Sequence, residues 1–363
     1  MMNSSELQTS ILTVAYGADL LIGDPRWFPH PVRAMGLAIH WGERILRRLI
    51  PWERVAGLLL VAGLVGGTYA GTRWLLEALH VHAAGWGFVA GAVLLFSCLS
   101  TRDLAIESRE VLRALEAEDL PLARRRVARI VGRETQRLDQ PEIVRATIET
   151  IAESTMDGIL SPLFYAVVGG VPLAMTYKAI NTLDSMIGHR SARYLRFGSA
   201  AARLDTWANW IPARWSVFVF TLAAAVGGGR VRQSWRCAWS HHLLAPPSAE
   251  SQNPVLGWLR CRVLRRSAHG RSQQVVGWRP SAYVPNAGLP EAAMAGALGV
   301  RLGGVNWYEG KAVTMAFMGE PVRPLTPERI REAIRLMYAA SAIGWLVALA
   351  VLVVKGKSIH GLQ

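Results

Sequence analysis

The sequence contains few cysteines and few charged side chains for its length. Of its 363 residues three are cysteine, and only 18% are Asp, Glu, Lys or Arg. Cys98, Cys237 and Cys261 have no paired spacing, which excludes a disulfide-stabilised scaffold. The hydrophobic fraction of 51% excludes an intrinsically disordered chain, because disorder requires low hydrophobicity together with high charge.

Several motifs of soluble enzymes are also missing from the sequence. There is no G-x-x-x-x-G-K-[ST] phosphate loop, no G-x-G-x-x-G after a strand, no H-E-x-x-H, no C-x-x-C and no G-x-S-x-G. The pair His241-His242 is too isolated to make a metal site. These absences remove the commonest nucleotide, redox, metalloprotease and hydrolase interpretations.

Long apolar runs are what the sequence has instead. A membrane-spanning helix needs about 20 mainly apolar residues. Six runs are candidates: Leu7–Gly23, Val55–Thr72, Ala78–Thr101, Gly158–Tyr177, Trp215–Gly229 and Leu336–Val354. We therefore predict an all-α, polytopic integral membrane helical bundle, with residues 1–363 forming a single membrane-embedded domain. Buried helices of a soluble core are the alternative for some of these runs.

The basic residues indicate how such a bundle is oriented. The formal net charge is +14, and the segments Arg102–Glu153 and Arg230–Arg335 are rich in arginine. The positive-inside rule places both on the cytoplasmic side, so topology explains the charge without a nucleic-acid partner. The run Gly158–Tyr177 contains Pro162, Gly169, Gly170 and Pro172, which suit a broken or re-entrant helix that lines a polar cavity. Residues 178–214, which follow this run, are also basic, and we expect them to fold into the polar interior of the bundle.

The same segments suggest how the cytoplasmic parts fold. Residues 102–157 read as a helical section, with helix starts at Asp119 and Asp139 that combine an Asp cap with an early proline. Residues 241–282 have proline, serine and arginine but no sustained period, which predicts a loop insertion. We find no segment with the alternating period of a strand.

Three carboxylates precede the fourth apolar run. Glu149, Glu153 and Asp157 have i, i+4, i+8 spacing, so they share one helix face. Like charges at this spacing repel one another, and carboxylate oxygens suit Mg²⁺. A solvated face neutralised by Arg145 explains the spacing equally well, so both interpretations stay open.

Further polar residues adjoin the apolar runs. They form two helical groups: Lys178, Asn181, Asp184 and Ser185, followed by Asp205 and Asn209. Ionisable groups at membrane depth are costly and usually functional. The alternative is that these residues make polar contacts between helices.

Two loops complete the polar set. The proline-rich loop 23–33 presents Asp24, His30 and Arg33, although a stiff interfacial turn explains it as well. The segment 285–291 carries Asn286 and Glu291 and opens an Ala/Gly-rich helix, which fits either an anion site or a packed helix start. Residue patterns alone leave open a membrane enzyme for an anionic substrate and a transporter.

The polar segments stand in a distinctive order along nearly the whole chain except about 241–282. They read Gly23-Asp-Pro, His30-Pro-Val-Arg33, Ile130-Val-Gly-Arg-Glu-Thr135, Ala152-Glu-Ser-Thr-Met-Asp-Gly158, Lys178-Ala-Ile-Asn-Thr-Leu-Asp-Ser185, Ala202-Arg-Leu-Asp205, Ala208-Asn-Trp-Ile-Pro-Ala-Arg214 and Pro285-Asn-Ala-Gly-Leu-Pro-Glu291. This ordered set resembles the CobD/CbiB family, the adenosylcobinamide-phosphate synthases of cobalamin biosynthesis. Ser154 and Glu134 depart from it, because Asn and Asp are expected there.

The resemblance implies a multi-pass enzyme of the inner (cytoplasmic) membrane. Such an enzyme joins adenosylcobyric acid, a corrinoid, to (R)-1-aminopropan-2-ol O-phosphate or to free aminopropanol, in an ATP-dependent amide ligation with Mg²⁺. Its partners are these substrates, the lipid bilayer and candidate membrane enzymes of the same pathway. A non-catalytic transporter or sensor on the same scaffold is the alternative, and the absence of an internal repeat counts against a transporter.

The resemblance also suggests roles for individual residues. The expected catalytic residues are Asp157, Asp184, Lys178 and Asp205. The expected Mg²⁺ ligands are Glu153, Asp157 and Asp184. The expected substrate-binding residues are Asp24, His30, Arg33, Arg133, Asn181, Asn209, Arg214, Asn286 and Glu291.

Overall fold

The computed structural model describes residues 4–25, 30–189, 191–244, 286–308 and 310–360. Nearly all elements within these ranges are helices. In chain order they are α1 (Ser4–Leu21), α2 (Pro31–Leu49), α3 (Glu53–His82), α4 (Ala84–Phe96), α5 (Thr101–Glu116), α6 (Leu120–Val127), α7 (Gln140–Thr155), a π-helical turn (Met156–Leu160), α8 (Ser161–Ile187), α9 (Ser199–Ala208), α10 (Trp210–Val226), α11 (Val231–Leu244), α12 (Gly288–Leu298) and α13 (Pro327–His360). Most of the predicted insertion 241–282 lies outside the described residues.

Four helical stretches are long and apolar enough to cross a membrane. They are Glu53–Val81, Gly85–Glu116, Gln140–Ile187 and Pro327–Ser358. Helix α10 is a shorter apolar helix, while α1, which covers the first predicted run, is not among the four. By helix length and composition, the structure agrees with a helical membrane protein.

One predicted span is wrong in its boundaries. The run Ala78–Thr101 is not a single helix, because Ala83 adopts an extended backbone with φ −165° and ψ 121°. Helix α3 therefore extends through His82, and α4 begins at Ala84. The apolar composition on both sides of Ala83 hides this break in the sequence.

The predicted helix starts are confirmed. The Asp119 carboxylate accepts a hydrogen bond from the Leu122 amide, which caps α6. At α7 the Asp139 side chain accepts from the Glu142 amide, and the Glu142 side chain accepts from the Asp139 amide. This reciprocal capping satisfies free amides of the first turn and fixes where α7 begins.

Two irregularities interrupt the long helical stretch that follows. A π-helical turn begins at Met156, and Ser100 donates to the Gly158 carbonyl from its amide and its hydroxyl. Farther along, Gly169 and Gly170 leave helical geometry, with φ +69° at Gly170. The prediction that glycine and proline break this segment is thereby confirmed, and Pro172 stands where the helix restarts.

Two apolar clusters hold the helices together. The larger one contains buried side chains from α1, α4, α5, α7, α8, α10, α12 and α13. The smaller one lies where α2, α3, α8 and α9 meet and includes Ile39, Leu60 and Phe197. Polar residues of α7, α8 and α9 are positioned by these two clusters.

A β-hairpin corrects the expectation that the chain has no strands. Strands β1 (Leu302–Tyr308) and β2 (Lys311–Met318) pair antiparallel, with an irregularity between Leu302 and Gly304. Gly303 has φ +83°, and a Cβ there would lie 2.1 Å from the Ala316 carbonyl oxygen. Adjacent glycines at the start of β1 mask the alternation by which a strand is recognised.

We predict that Asp139→Ala destabilises the protein by about 1 kcal/mol, because the first turn of α7 loses its cap. Asp139→Asn is the matched control and keeps most of the stability, since its side-chain oxygen still accepts from the Glu142 amide. Thermal unfolding in detergent, followed by circular dichroism, measures the difference. Equal unfolding midpoints for the two variants would contradict the role of the cap.

Candidate functional site

The Glu149 carboxylate is the centre of a buried ion cluster. The Arg133 guanidinium donates to Glu149 Oε2 at 2.6 Å, and Arg145 donates to Oε1 at 3.1 Å. The Gly303 amide donates to Oε1 at 2.8 Å. Both arginines also donate to the Asn306 side-chain oxygen. Arg145 thus neutralises Glu149, as one of the two sequence interpretations proposed, but both residues are buried and not on a solvated face, and Arg133 neutralises Glu149 as well.

A cavity of about 240 Å³ opens beside this cluster. Its wall combines α7, the loop before α7, the start of α12 and the hairpin. The polar lining residues are Arg133, Glu149, Thr150, Glu153, Ser154, Glu291, Asn306 and Tyr308. Glu153 exposes its side chain here, one turn after Glu149. Of the two departures from the family pattern, Ser154 lines the cavity, whereas Glu134 accepts from the Gly310 amide at 2.6 Å.

A second polar group lies where the π-helical turn, α8 and α9 meet. The Tyr177 hydroxyl is 3.2 Å from Asp157 Oδ1 and 2.9 Å from the Asn209 side-chain oxygen. The Asn209 amide donates to Asp205 Oδ1 at 3.1 Å, and Asn181 also hydrogen-bonds Asp205. The Ser161 hydroxyl donates to Asn209 at 3.2 Å. We call these residues the acid–amide network.

Glu153 connects the cavity with the acid–amide network. It interacts electrostatically with Glu149 and Arg133 at the cavity and with Asp184 on α8. Asp157 likewise interacts with Glu153, Asp205 and Lys178. The structure therefore brings Glu153, Asp157, Asp184 and Asp205 within electrostatic range of one another, with Lys178 as a nearby cation, and their predicted roles stay predictions.

The N-terminal loop approaches the same region. His30 caps α2, and its Nε2 lies 3.6 Å from Asp24 Oδ2. Desolvation lowers the pKa of His30. The negative charge of Asp24 raises this pKa, whereas the positive charges of Lys178 and Arg33 lower it further. Asp24 Oδ1 is buried with no hydrogen-bond partner among the described residues. These contacts place the loop next to Lys178.

Two predicted substrate-binding residues make contacts within the protein. The Asn286 side chain donates to the Thr206 carbonyl at 2.7 Å, which ties the start of α12 to α9. The Arg214 guanidinium lies 4.0 Å from the centre of the Trp210 ring and donates to the Trp210 carbonyl. Their roles in substrate binding stay predictions.

Two carboxyl groups outside the candidate spans titrate abnormally. The pKa of Asp205 is raised to about 7, mainly by burial and also by the negative charges of Asp184 and Glu153. The hydrogen bond from Asn209 lowers this pKa and so offsets part of the shift. Burial also raises the pKa of Glu291, reinforced by Glu149 and Glu153. A carboxyl that titrates near neutral pH is suited to accepting or donating a proton.

The described residues contain no group of three His, Cys, Asp or Glu side chains close enough to hold a metal ion. The proposed ligands Glu153, Asp157 and Asp184 are neighbours in charge but do not form a closed cage. Mg²⁺ in phosphate-handling sites is commonly held by one or two carboxylates together with substrate oxygens. The oxygen-rich network fits that kind of site, and the ligand set stays a prediction.

Sequence reasoning missed three residues of the site. Tyr177 is the last residue of the apolar run Gly158–Tyr177, so the sequence pattern assigned it to a candidate span. A buried tyrosine hydroxyl nevertheless generally needs a hydrogen-bond partner. Asn306 and Tyr308 lie on the hairpin, so their position depended on strands that the sequence did not reveal. The general rule for buried hydroxyl groups is the one signal that points to Tyr177.

The fold and the site together define a helical protein with four stretches long and apolar enough to cross a membrane and with a polar, carboxylate-rich interior. The profile of the family described as CobD/Cbib protein matches residues 12–337. The chain belongs to this family, whose members act in cobalamin biosynthesis.

Individual relatives support the same assignment. The "Cobalamin biosynthesis protein CobD" of Geobacter metallireducens is 43% identical over 93% of this chain and 95% of its own length. The CobD protein of Klebsiella pneumoniae is 36% identical over 93% of this chain and 98% of its own length. The "Cobalamin biosynthesis protein CbiB" of Salmonella typhimurium is 36% identical over 93% of this chain and 95% of its own length. No solved structure matches the chain.

We predict that Glu149→Gln destabilises the protein by about 3–5 kcal/mol, because two buried guanidinium groups lose their counter-charge. Glu110→Gln is the control, since Glu110 pairs with Arg113 and Arg126, which are both more exposed than Arg133 and Arg145, and its loss costs about 1 kcal/mol or less. Unfolding free energies in detergent test this difference. Similar losses of unfolding free energy in the two variants would show that the buried ion cluster contributes no more to stability than a surface ion pair.

We predict a pH-dependent effect of Asp205→Asn. The folded-state pKa of Asp205 is raised to about 7, so its stabilising contribution is present at acidic pH and is lost as the pH rises through 7. Asparagine stays neutral, so the variant should gain roughly 1 kcal/mol relative to wild type between pH 6 and 8. The unfolding midpoints of the wild type and the variant at pH 6 and pH 8 measure this gain. If the difference between the two proteins were the same at both pH values, the raised pKa of Asp205 would be refuted.

Proposed function

We propose that the protein is an adenosylcobinamide-phosphate synthase, an ATP-dependent acid–amine ligase. It joins the free carboxyl of adenosylcobyric acid to the amine of (R)-1-aminopropan-2-ol O-phosphate, or of aminopropanol, in the cytoplasmic membrane. The observation that carries this proposal is the cavity in which Arg133 faces Glu153 and Glu291 beside the acid–amide network. Membership of a cobalamin-biosynthesis family supports the choice of a corrinoid substrate.

The size of the cavity indicates which substrate it takes. A volume of about 240 Å³ holds a small amine with a phosphate group, whereas a corrin macrocycle is too large to enter it. Arg133 supplies positive charge for a phosphate, and Glu153 supplies negative charge for an ammonium group. On this basis, the amine substrate binds in the cavity and the corrin ring stays outside, with one side chain reaching in.

Amide formation removes two protons from the ammonium group of the amine substrate. The deprotonated nitrogen attacks the carbonyl carbon of the activated carboxyl and the C–N bond forms. The activating phosphate leaves with the electron pair of the C–O bond and takes the second nitrogen proton as hydrogen phosphate. A carboxylate must accept the ammonium proton before the attack. Glu291 lines the cavity and burial raises its pKa, so it is placed to accept this proton, while Glu153 stabilises the positive charge until the proton leaves. Asp205, with a pKa of about 7, and Asp157 interact with Glu153 from the acid–amide network.

ATP and Mg²⁺ are part of the proposal. ATP would supply the phosphoryl group that activates the carboxyl, and Mg²⁺ would neutralise phosphate charge. Glu153, Asp157 and Asp184 would hold the metal together with phosphate oxygens. Lys178, which lies near Asp157 and His30, would balance the remaining negative charge.

A product assay tests the proposed function. Purified protein in detergent receives adenosylcobyric acid, the amine or its phosphate, and MgATP, and mass spectrometry follows the corrinoid. We expect an ATP-dependent mass gain that matches the amide. An unchanged corrinoid with folded protein and with both amines would overturn the ligase, and ligand binding without ATP consumption would favour a sensor.

We predict that Glu153→Gln and Asp157→Asn each lower the ligation rate by about 10²–10⁴-fold, as expected for groups that bind the reacting amine and assist its deprotonation. Glu110→Gln, which changes a carboxylate of α5 at an exposed pair, should retain the wild-type rate. Circular dichroism checks that each variant is folded. A folded Asp157→Asn protein with full activity would remove Asp157 from the mechanism.

A further inference from the structure

Helix α2 has two faces of opposite character. Met35, Ile39 and Glu43, at i, i+4 and i+8, are buried against the rest of the protein. On the other side Leu37, Trp41, Ile45 and Leu49 repeat at the same interval, and each is more than half exposed. We call these four side chains the apolar stripe. A helix in water normally buries its large apolar residues, so the stripe requires a covering partner.

Basic residues border the apolar stripe. Arg44 and Arg48 are exposed. Because successive residues of an α-helix are rotated by 100° about its axis, both arginines lie on the side of the apolar stripe where Leu37 and Trp41 are located. The Arg44 guanidinium lies 5.8 Å from the centre of the Trp41 ring. Helix α2 contains four arginines and one glutamate. Its exposed surface therefore combines an apolar sector with a cationic one.

The position of α2 in the chain limits what can cover the stripe. Helix α2 is not among the four stretches able to span a membrane, and its arginines would be costly in the hydrocarbon centre. A connection of three residues leads from α2 to α3, the first of the four stretches, in which Val55 and Leu58 are exposed. Trp52, in the connection, is also exposed. Exposed apolar side chains thus occur on α2, in the connection and in the first turns of a candidate span.

Both ends of α2 are fixed, so the stripe cannot turn inward. At its C-terminal end Arg47 donates to Glu43 at 3.0 Å and to Glu53 at 2.8 Å, and it reaches the Arg193 carbonyl. At its N-terminal end His30 caps the helix beside Asp24. The apolar stripe therefore keeps its outward direction in the folded protein.

We propose that α2 is an interfacial helix that binds the surface of an anionic phospholipid bilayer. The apolar stripe inserts at the boundary between acyl chains and headgroups, and Arg44 and Arg48 contact lipid phosphates. An apolar sector beside a basic sector is the arrangement by which amphipathic helices recognise anionic membranes. This inference does not depend on the ligase activity.

The first experiment tests insertion of the stripe. In a chain with Cys98, Cys237 and Cys261 replaced by serine, Ile45→Cys carries an environment-sensitive fluorophore in nanodiscs. Glu320→Cys, exposed and outside the candidate spans, is the matched control. We expect a blue-shifted emission at position 45 that brominated phosphatidylglycerol quenches, and no quenching at position 320. A water-like, unquenched signal at position 45 would overturn the proposal. Blue-shifted but unquenched emission, together with a doubled mass of the protein, would assign the stripe to a second copy and overturn it as well.

The second experiment tests the preference for anionic lipid. Wild-type protein should unfold at a higher temperature in phosphatidylglycerol nanodiscs than in phosphatidylcholine nanodiscs. The double variant Arg44→Gln/Arg48→Gln should lose most of this gain, while Arg44→Lys/Arg48→Lys should keep it. Equal midpoints of the wild type in both lipids, or an unchanged gain in the glutamine variant, would refute the contact with lipid phosphate.

Discussion

The buried carboxylate of Glu149 is the point on which the candidate site depends. It is the shared acceptor for Arg133, Arg145 and the Gly303 amide, so it ties together α7, the loop before α7 and the hairpin. Burying an ion cluster costs desolvation energy, and the attraction between its members offsets that cost only when every group is paired. The wall of the cavity is consequently held in place where Arg133 meets Glu149, whereas Glu153, one turn further on, makes no ion pair with the residues that the structure describes.

Irregular helix geometry gives the remaining polar residues a common location. The π-helical turn at Met156–Leu160, the break at Gly169-Gly170 and the junction between α9 and α10 interrupt otherwise apolar helices. Backbone that departs from α-helix is tolerated at membrane depth only where it is buried in protein or lines a polar cavity. Asp157 and Asn209 stand at two of these interruptions and meet through Tyr177. The polar side chains therefore converge where the helices are interrupted.

Local patterns predicted much of the fold. The caps at Asp119 and Asp139 and the break near Gly169-Gly170 are encoded within a few residues, and the structure confirms them. Apolar length located the spanning stretches approximately, but it could not show the break at Ala83, where no glycine or proline marks the turn. The hairpin was missed because Gly303 and Gly304 carry no side chains to alternate.

The candidate site was predictable as a set of residues rather than as a geometry. Helical spacing placed Glu149, Glu153 and Asp157 together, but it could not separate a paired carboxylate from an unpaired one. The difference comes from Arg133 and Asn306, which are distant from Glu149 in sequence and reach it only through the tertiary fold. Contacts of this kind are fixed by the packing of whole elements, which no local pattern records.

The interior of this basic protein contains a concentration of acidic side chains. Glu153, Asp157, Asp184, Asp205 and Glu291 interact with one another within a chain whose net charge is +14. The surface arginines concentrate anions around the protein, whereas the interior repels an anion that arrives alone. A concentration of acidic side chains inside an arginine-rich protein makes the interior a more favourable environment for positive than for negative charge.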